Sequence, residues 1–531
     1  MFGRKRKKRL EAEFGKVPDP MYFTGDMDYI RAYYDFRNEN KMDPFLVDDI
    51  TWNDLDMDKV FQRINPGLST SGEQYLYYQL RCPAIDSNTY QQREQLIDFM
   101  EASPGLRLKL QMILARLGRT RRADLCRAFS APMHGSMWLV VYLLLALLVP
   151  VAIFLAVFYP TYGTLGCIGI LTLNALIHEY RKKKCERNFD TVNYTVSMVM
   201  ALHRMRKLKN PGLDLHLKDA YQNLERLRFI VHTGGISGVS DGGLGDVAAT
   251  VFLLDLIAYE YLKTRLGQCH REVFAVHEAL GRIDAAIAVA SYRKSLDHFA
   301  EPEIDFTPDR AYMDASNMVH PLMEDAVPND LHTDKPILIT GSNASGKSTY
   351  LKTAALCALL AQSICTTTAD SYRACAFRIY SSMALSDNLL AGESYYIVET
   401  KSLKRILEEI SGPVPVLCTI DEVLRGTNTV ERIAASSKIL EVIAQRGALC
   451  LAATHDIELC ELLAKQYGLY HFEEQVGVSE ILFDYKIREG KAVSRNAINL
   501  LKLMGFEDEI VSGAHRRANS YMEDTAPVRS G

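Results

Sequence analysis

Between Met137 and Ile177 the chain carries no charged residue, and no other feature restricts its fold so severely. The first part, MWLVVYLLLALLVPVAIFLAVF, is a run of 22 almost wholly apolar residues, where about 20 suffice to cross a hydrocarbon core about 30 Å thick. Next comes YPTYG, Tyr159 to Gly163, a Pro/Gly turn with interfacial tyrosines, and then TLGCIGILTLNALIHEY, a shorter span ending at the basic cluster Arg181 to Lys184. The pattern predicts a transmembrane helical hairpin over residues 137–180 that contacts the lipid bilayer. Arg119, Arg121, Arg122 and Arg127 flank its entry and the turn is uncharged. The positive-inside rule therefore puts both termini and the bulk of the chain in the cytosol, tethered to the membrane by two spans. The competing reading is a pair of buried core helices, which the short second span leaves open. An internal position does not suit a signal peptide.

The remaining sequence, within 531 residues of which 48% are hydrophobic and 24% charged, has the composition of folded globular domains. A formal net charge of −4 gives no global basic field, so nucleic-acid contact would need a local patch. Eleven cysteines without a C-x-x-C pair fit reduced core thiols rather than a disulfide framework or zinc site. Residues 1–44 read as a basic N-terminal tail whose RKRKKR run, Arg4 to Arg9, suits anionic headgroups better than nucleic-acid phosphate. Residues 45–136 and 181–310 read as two parts of a helical core, into which the hairpin is inserted. GGISGVSDGGLG, Gly234 to Gly245, predicts a loop, because no strand leads into it. From 311 to 515 short β-type runs alternate with helices, the signature of an α/β domain with a mostly parallel sheet. Residues 516–531 read as a C-terminal tail.

Early in that domain stands ILITGSNASGKST, Ile337 to Thr349. An apolar strand, a loop with Gly341 and Gly346, then Lys347 and Ser348 at a helix start make the P-loop pattern. Glycines let backbone N–H groups turn inward around an anion, Lys347 adds a cation for the β/γ-phosphates, and Ser348 offers an oxygen to Mg²⁺. The nucleotide cradle is then Gly341, Ser342, Asn343, Ala344, Ser345, Gly346, Lys347, Ser348 and Thr349. Hydrolysis needs acidic groups as well. VPVLCTIDE, Val414 to Glu422, is an apolar strand ending in two carboxylates: Asp421 supports the hydrated Mg²⁺ and Glu422 polarises the attacking water. LCLAATHD places His455 after another buried-type strand, where it can sense the γ-phosphate. The fold class predicted is an α/β P-loop NTPase domain at the C-terminal end, a mainly α-helical core and lever domain, and the inserted hairpin. ATP and Mg²⁺ are the cofactors.

In order and type these segments resemble the MutS family of DNA mismatch-repair ATPases. GSNASGKST resembles the family's G-P-N-M-x-G-K-S-T loop, with Ser342 in place of the proline. AVPND, Ala326 to Asp330, is similar to the family's nucleotide-base segment, which implies that Asn329 contacts adenine. SDNLLAGESYYIVE resembles S-D-D-L-x-x-G-x-S-T-F-M-V-E, matching at Asp387, Gly392, Ser394 and Glu399. DEVLRGTNT, ATHD and DYKIREGKAVSRNAINLLKLMGF resemble the later segments. INPGLSTSGEQYLYYQLRCP and ALGRIDAAIAVASYRKSL are similar to the opening of the family's core and the end of its levers. The resemblance implies a homodimer with composite sites, in which Ser394, at a predicted helix N-terminus, acts on the partner's nucleotide. It also implies DNA, mismatched or branched, as a ligand. The mismatch-reading domain with its Phe-x-Glu wedge has no room here, and the F-x-E matches at Phe99, Phe299 and Phe472 read as coincidence. The alternative is a membrane-anchored, ATP-driven switch on an unknown protein partner or on lipid, without mismatch recognition. An ABC-type ATPase half is disfavoured, since no L-S-G-G-Q signature is present.

Overall fold

A computed structural model describes residues 2–18, 26–121, 125–126, 137–233, 244–342, 345–383, 395–425, 427–476, 481–491 and 505–525. The chain groups into two compact units that interleave along the sequence: residues 1–44, 61–79 and 92–295 in one, residues 45–60, 80–91 and 296–531 in the other.

Among its described residues the first unit is helical. Its centre is the helix His270–Lys294, buried over most of its length, and the two segments flagged above as resembling a core opening and a lever end pack on each other here. The run of small residues explains how. A Cβ built on Gly72 would lie 2.0 Å from Asp284 Oδ2, and one on Gly281 would lie 2.4 Å from the Tyr75 Cβ. Only hydrogen at these two positions lets the helix Thr70–Arg81 seat against His270–Lys294. Ser69 Oγ then donates to Asp284 Oδ2 at 2.5 Å, and Tyr194 OH reaches the Ser71 amide at 3.0 Å. Gly72→Ala is expected to cost about 3 kcal/mol, the overpacking scale for a core with no room to yield. A clearly lowered melting temperature of the detergent-solubilised protein is the readout.

The described residues of 1–44 are mostly helical rather than a loose tail. The basic run lies in the helix Phe2–Glu13, whose Leu10 is buried, and a second helix, Asp26–Glu39, buries Ile30, Tyr33 and Tyr34. Ile30, Tyr33 and Tyr34, three or four positions apart, anchor the second helix, while Leu10 alone is buried in the first and its lysines and arginines are exposed. The Gly15 amide donates to Ser291 Oγ at 2.9 Å, tying the end of this segment to the central helix.

The uncharged run forms two helices, Trp138–Phe158 and Pro160–Lys184. The turn is tighter than YPTYG: Tyr159 alone separates them, and Pro160 starts the second helix, a position its fixed φ favours. Gly163 permits the close return, since a Cβ there would meet the Ala156 backbone at 2.2 Å. Both are long and apolar enough to cross a membrane, with mean hydropathies of 3.0 and 1.3, and only 11% of each apolar window is buried within the protein. They are therefore not core helices of this unit. The glycine-rich residues 234–243 lie outside the described set.

The second unit is built on a six-stranded mixed sheet in the order β10-β9-β4-β8-β7-β6. The strands are β4 (Ile337–Thr340), β6 (Arg378–Ser382), β7 (Val416–Asp421), β8 (Leu449–Thr454), β9 (Gly468–Val476) and β10 (Ile481–Glu489). All pairs are parallel except β9–β10. The central strands β4, β7 and β8 are buried at every residue, as strands covered on both faces must be. A smaller sheet, order β1-β5-β2-β3, uses β1 (Glu303–Asp305), β2 (Met313–Met318), β3 (Asn329–Thr333) and β5 (Ser371–Cys375). Residues 45–60 and 80–91, which sequence boundaries put with the helical core, belong to this unit. Asp54 accepts from Ser381 Oγ at 2.6 Å and from the Met383 amide at 3.0 Å, and Gln362 Nε2 donates to the Ala84 carbonyl at 3.0 Å. The tail expected over 516–531 begins inside the helix Asp508–Thr525.

Candidate functional site

Parallel strands in this order bring the ends of β4, β7 and β8 to one edge of the sheet, where ligands of open α/β sheets bind. After β4 the chain turns at Gly341 (φ 149°) and Gly346 (φ 103°), both in the region glycine favours, and the helix Lys347–Ile364 begins at once. Lys347 Nζ donates to the carbonyls of Gly341 and Ser342 at 2.9 and 2.7 Å, so its ammonium is drawn back over the loop that carries it. Ser345 is buried, and among the described residues its Oγ has no hydrogen-bond partner. Asn343 and Ala344 lie outside the described residues, as does Ser394.

Asp421, the last residue of β7, accepts from Ser348 Oγ at 2.5 Å. Glu422 follows with φ 59°, and Leu424 with φ 60°, left-handed conformations that cost energy in non-glycine residues and collect at functional sites. The turn is held in place. The Glu422 amide donates to the Ala453 carbonyl of β8 at 3.0 Å, and Glu399 Oε1 accepts from the amides of Leu424 and Arg425 at 2.6 and 3.3 Å. Glu399 lies in the helix Tyr395–Glu409, and burial pushes its carboxyl up.

The Glu422 carboxylate is gripped from two sides: His455 Nε2 at 2.6 Å on Oε1 and Arg425 Nε at 2.7 Å on Oε2. The hydrogen bond to His455, with the charge of Arg425, holds its pKa below the usual carboxylate value although burial opposes this. Glu422 is thus an ionised carboxylate, a suitable partner for polarising water. His455 is positioned by the loop beyond β8, where Asp456 pairs with both donors of Arg432 at 2.9 and 2.7 Å.

A cavity of about 430 Å³ opens beside these groups, lined by Ser345, Gly346, Lys347, Ser348, Thr349 and Glu422 at one end and by His320, Asn329, Phe472 and Tyr485 at the other. This volume is within the range of small-molecule sites. Asn329 lines it, but its side chain is already engaged: Nδ2 donates to the Tyr485 carbonyl at 2.8 Å and Oδ1 accepts from the Ile487 amide at 2.9 Å. It pins the bulge of β10 to the start of β3 and shapes the wall. Phe472 is no wedge; it is buried and lies edge-on to Tyr350.

The structure therefore gathers Ser345, Gly346, Lys347, Ser348, Thr349, Asn329 and Glu422 around one cavity, joins Asp421 to Ser348, and joins His455 to Glu422. Sequence reasoning assigned no role to Arg425, Glu399, His320 or Tyr485. Arg425 stood in plain view four residues after Asp421, and Glu399 and Tyr485 lie within segments that carried the resemblance without a role being drawn for them, whereas His320 carries no spacing signal.

A buried mixed sheet, a glycine-turned loop leading into a helix, and acidic residues at a neighbouring strand end together form one site in the second unit. The sequence profile described as MutS domain V matches residues 337–522. DNA mismatch repair protein MutS of Thermus aquaticus is 32% identical over 217 residues, 40% of this chain and 26% of that protein. DNA mismatch repair protein MutS of Carboxydothermus hydrogenoformans is 31% identical over 282 residues, 49% of this chain and 33% of that protein. DNA mismatch repair protein MSH3 of Phaeosphaeria nodorum is 29% identical over 283 residues, 51% and 24% respectively. The chain spans about a quarter to a third of the length of these relatives. Over residues 337–522 the chain is similar to domain V of the MutS family.

Proposed function

We propose that this protein is a membrane-tethered, dimeric MutS-like ATPase that couples ATP hydrolysis at composite sites to DNA binding. The observation that carries the reading is the Ser348–Asp421 bond, which brings the loop after β4 and the end of β7 together beside an ionised Glu422. The residues fit a P-loop nucleotide site. Ser345 Oγ is buried without a partner among the described residues, and Ser348 and Asp421 offer the hard oxygen donors Mg²⁺ prefers. Among the described residues no group of three acidic, His or Cys side chains forms a metal cage, which suits an ion held chiefly by phosphates and water. Bound Mg·ATP supplies the phosphoryl group and the charge that orders its own oxygens. Lys347 would exchange its loop carbonyls for phosphate, Ser348 and Asp421 would hold the metal, and Glu422 would orient water once His455 or Arg425 releases one of its oxygens. Ser394 of a second copy would complete each site.

The two apolar helices, mostly exposed, support the membrane tether, with both termini and the ATPase domain on the cytosolic side. A second reading is an ATP-driven switch acting on a protein or lipid partner without mismatch recognition. One observation favours it: among the described residues between 185 and 295 the chain is helical, with no strand to make a DNA clamp.

Turnover by the purified full chain in detergent or nanodiscs, measured with homoduplex, mismatched and branched DNA at low and high salt, decides between them. DNA-stimulated turnover that fades with salt is expected, because phosphate contacts release counterions. Absence of stimulation and of any DNA shift at low salt would transfer the assignment to the switch. Loss of nucleotide binding in Lys347→Ala is expected under both.

A further inference from the structure

The hairpin is not free along its whole length, and the level at which it is held has a consequence for what else touches lipid. Near its base it packs against two further helices, Leu244–Phe252 and Leu254–Gln268, joined by Leu253 in a left-handed conformation (φ 51°). Tyr142, Leu253 and Leu256 form a buried cluster with Leu145, Ile177, Phe189 and Ile257 around it. A polar seam runs beside it. Asn174 Nδ2 donates to the Val251 carbonyl at 2.8 Å, His178 Nε2 meets Asp255 Oδ2 at 2.8 Å, and Arg181 Nε donates to Tyr142 OH at 2.7 Å.

Asn174 follows Pro160 by 14 residues, a helical rise of about 21 Å from the tip, against a hydrocarbon core of about 30 Å. A hairpin whose tip tyrosines reach the far interface therefore carries Asn174, and the Val251 carbonyl bonded to it, several ångströms inside the near boundary. Withdrawing the hairpin until this contact clears the membrane would leave the tip short of the far side. It would also expose to water the apolar face that continues past this level, through Leu176 and Val140.

The chemistry of the contact fits the lipid level. Val251 is in the last turn of a short helix, where carbonyls lack intrahelical partners, and the amide of Asn174 satisfies one of them in apolar surroundings. One turn further out the polar residues begin, and two of them are held across the seam: His178 by Asp255, and Arg181 by Glu260 at 3.5 Å. Trp138 lies under the Arg181 guanidinium at 4.4 Å, the mixed aromatic and basic edge of a headgroup layer. Val247, on the short helix, is an apolar residue left 59% exposed.

We propose that the helix Leu244–Phe252 is immersed in the near leaflet of the bilayer beside the hairpin, so that three helices rather than two meet lipid, with Asp255, His178 and Arg181 marking the headgroup level. This rests on the membrane reading above, and one experiment separates the two. The chain has two tryptophans, and Trp52 is buried. In full-length Trp138→Phe protein reconstituted into phosphatidylcholine/phosphatidylglycerol vesicles, Val247→Trp, Phe154→Trp and Leu462→Trp each add one reporter, all at exposed positions. Lipids brominated near the headgroup are expected to quench the Val247→Trp signal, deeply brominated lipids that of Phe154→Trp, and neither that of Leu462→Trp. Aqueous acrylamide should show the reverse order, with Leu462→Trp the most quenched. If Val247→Trp behaves like Leu462→Trp while Phe154→Trp is lipid-quenched, the immersed helix is wrong and the tether stands. If Phe154→Trp also escapes lipid quenching, the membrane reading falls and takes the inference with it.

Discussion

Glu422→Gln is expected to leave ATP binding within a few-fold of the parent and to slow turnover by about 10²- to 10⁴-fold, the usual contribution of a positioned general base. The substitution keeps the shape of the side chain and an oxygen for one of its two partners. It removes the negative charge that His455 and Arg425 hold in place. Nucleotide affinity should be spared because the cradle is separate: the loop after β4 and the Ser348–Asp421 pair do not pass through this carboxylate. A turnover assay paired with equilibrium binding of a fluorescent nucleotide separates the effects. Turnover equal to the parent would remove Glu422 as the water-polarising group. Loss of binding would mean that the carboxylate supports the turn itself, at the strained residues 422 to 424.

The loop after β4 and the carboxylates at the end of β7 were legible because each motif is local. Five residues of spacing between Gly341 and Gly346 and the pair Asp421–Glu422 after an apolar run survive as patterns whatever surrounds them. What supports them is not local. Glu399 reaches residues 424 and 425 from another helix, and Phe472 and Tyr485 arrive from the antiparallel pair β9–β10. No period in the sequence reports such pairings. Asn329 shows the same limit from the other side: the resemblance implied a ligand contact, and no spacing in the sequence reported that its side chain also bonds the Tyr485 carbonyl and the Ile487 amide of β10.

Hydropathy located the hairpin and most helices but could not say with which partner a segment packs. Residues 45–60 read as helix, yet Asp54 and Thr51 are spent on the backbone and hydroxyl of Ser381, more than 300 residues away in the chain. The basic run near the N-terminus hid a helix because lysine and arginine dominate its composition, while single apolar residues such as Leu10 carry its burial. Charge density describes a solvent face and is silent about the face beneath it.

The carboxyl of Asp284 makes the fold sensitive to pH in an unusual sense. Burial pushes it up to about 7, only partly offset by the hydroxyl of Ser69, and neighbouring Glu73 adds to the rise. An aspartate that titrates near 4 when unfolded and near 7 when folded binds more protons in the native state throughout that interval, so stability must fall as pH rises across it. Below the interval both states are protonated; above it both are ionised and the full penalty is present, on the order of 4 kcal/mol at about 1.4 kcal/mol per decade. Asp284→Asn removes the titration while keeping an oxygen to accept from Ser69. The variant is expected to match the parent near pH 4 and to melt clearly higher at pH 8, with a flatter profile between. Scanning calorimetry of both proteins in the same detergent tests this, and a variant that melts lower at pH 8 would show that the ionised group is held by interactions stronger than its burial.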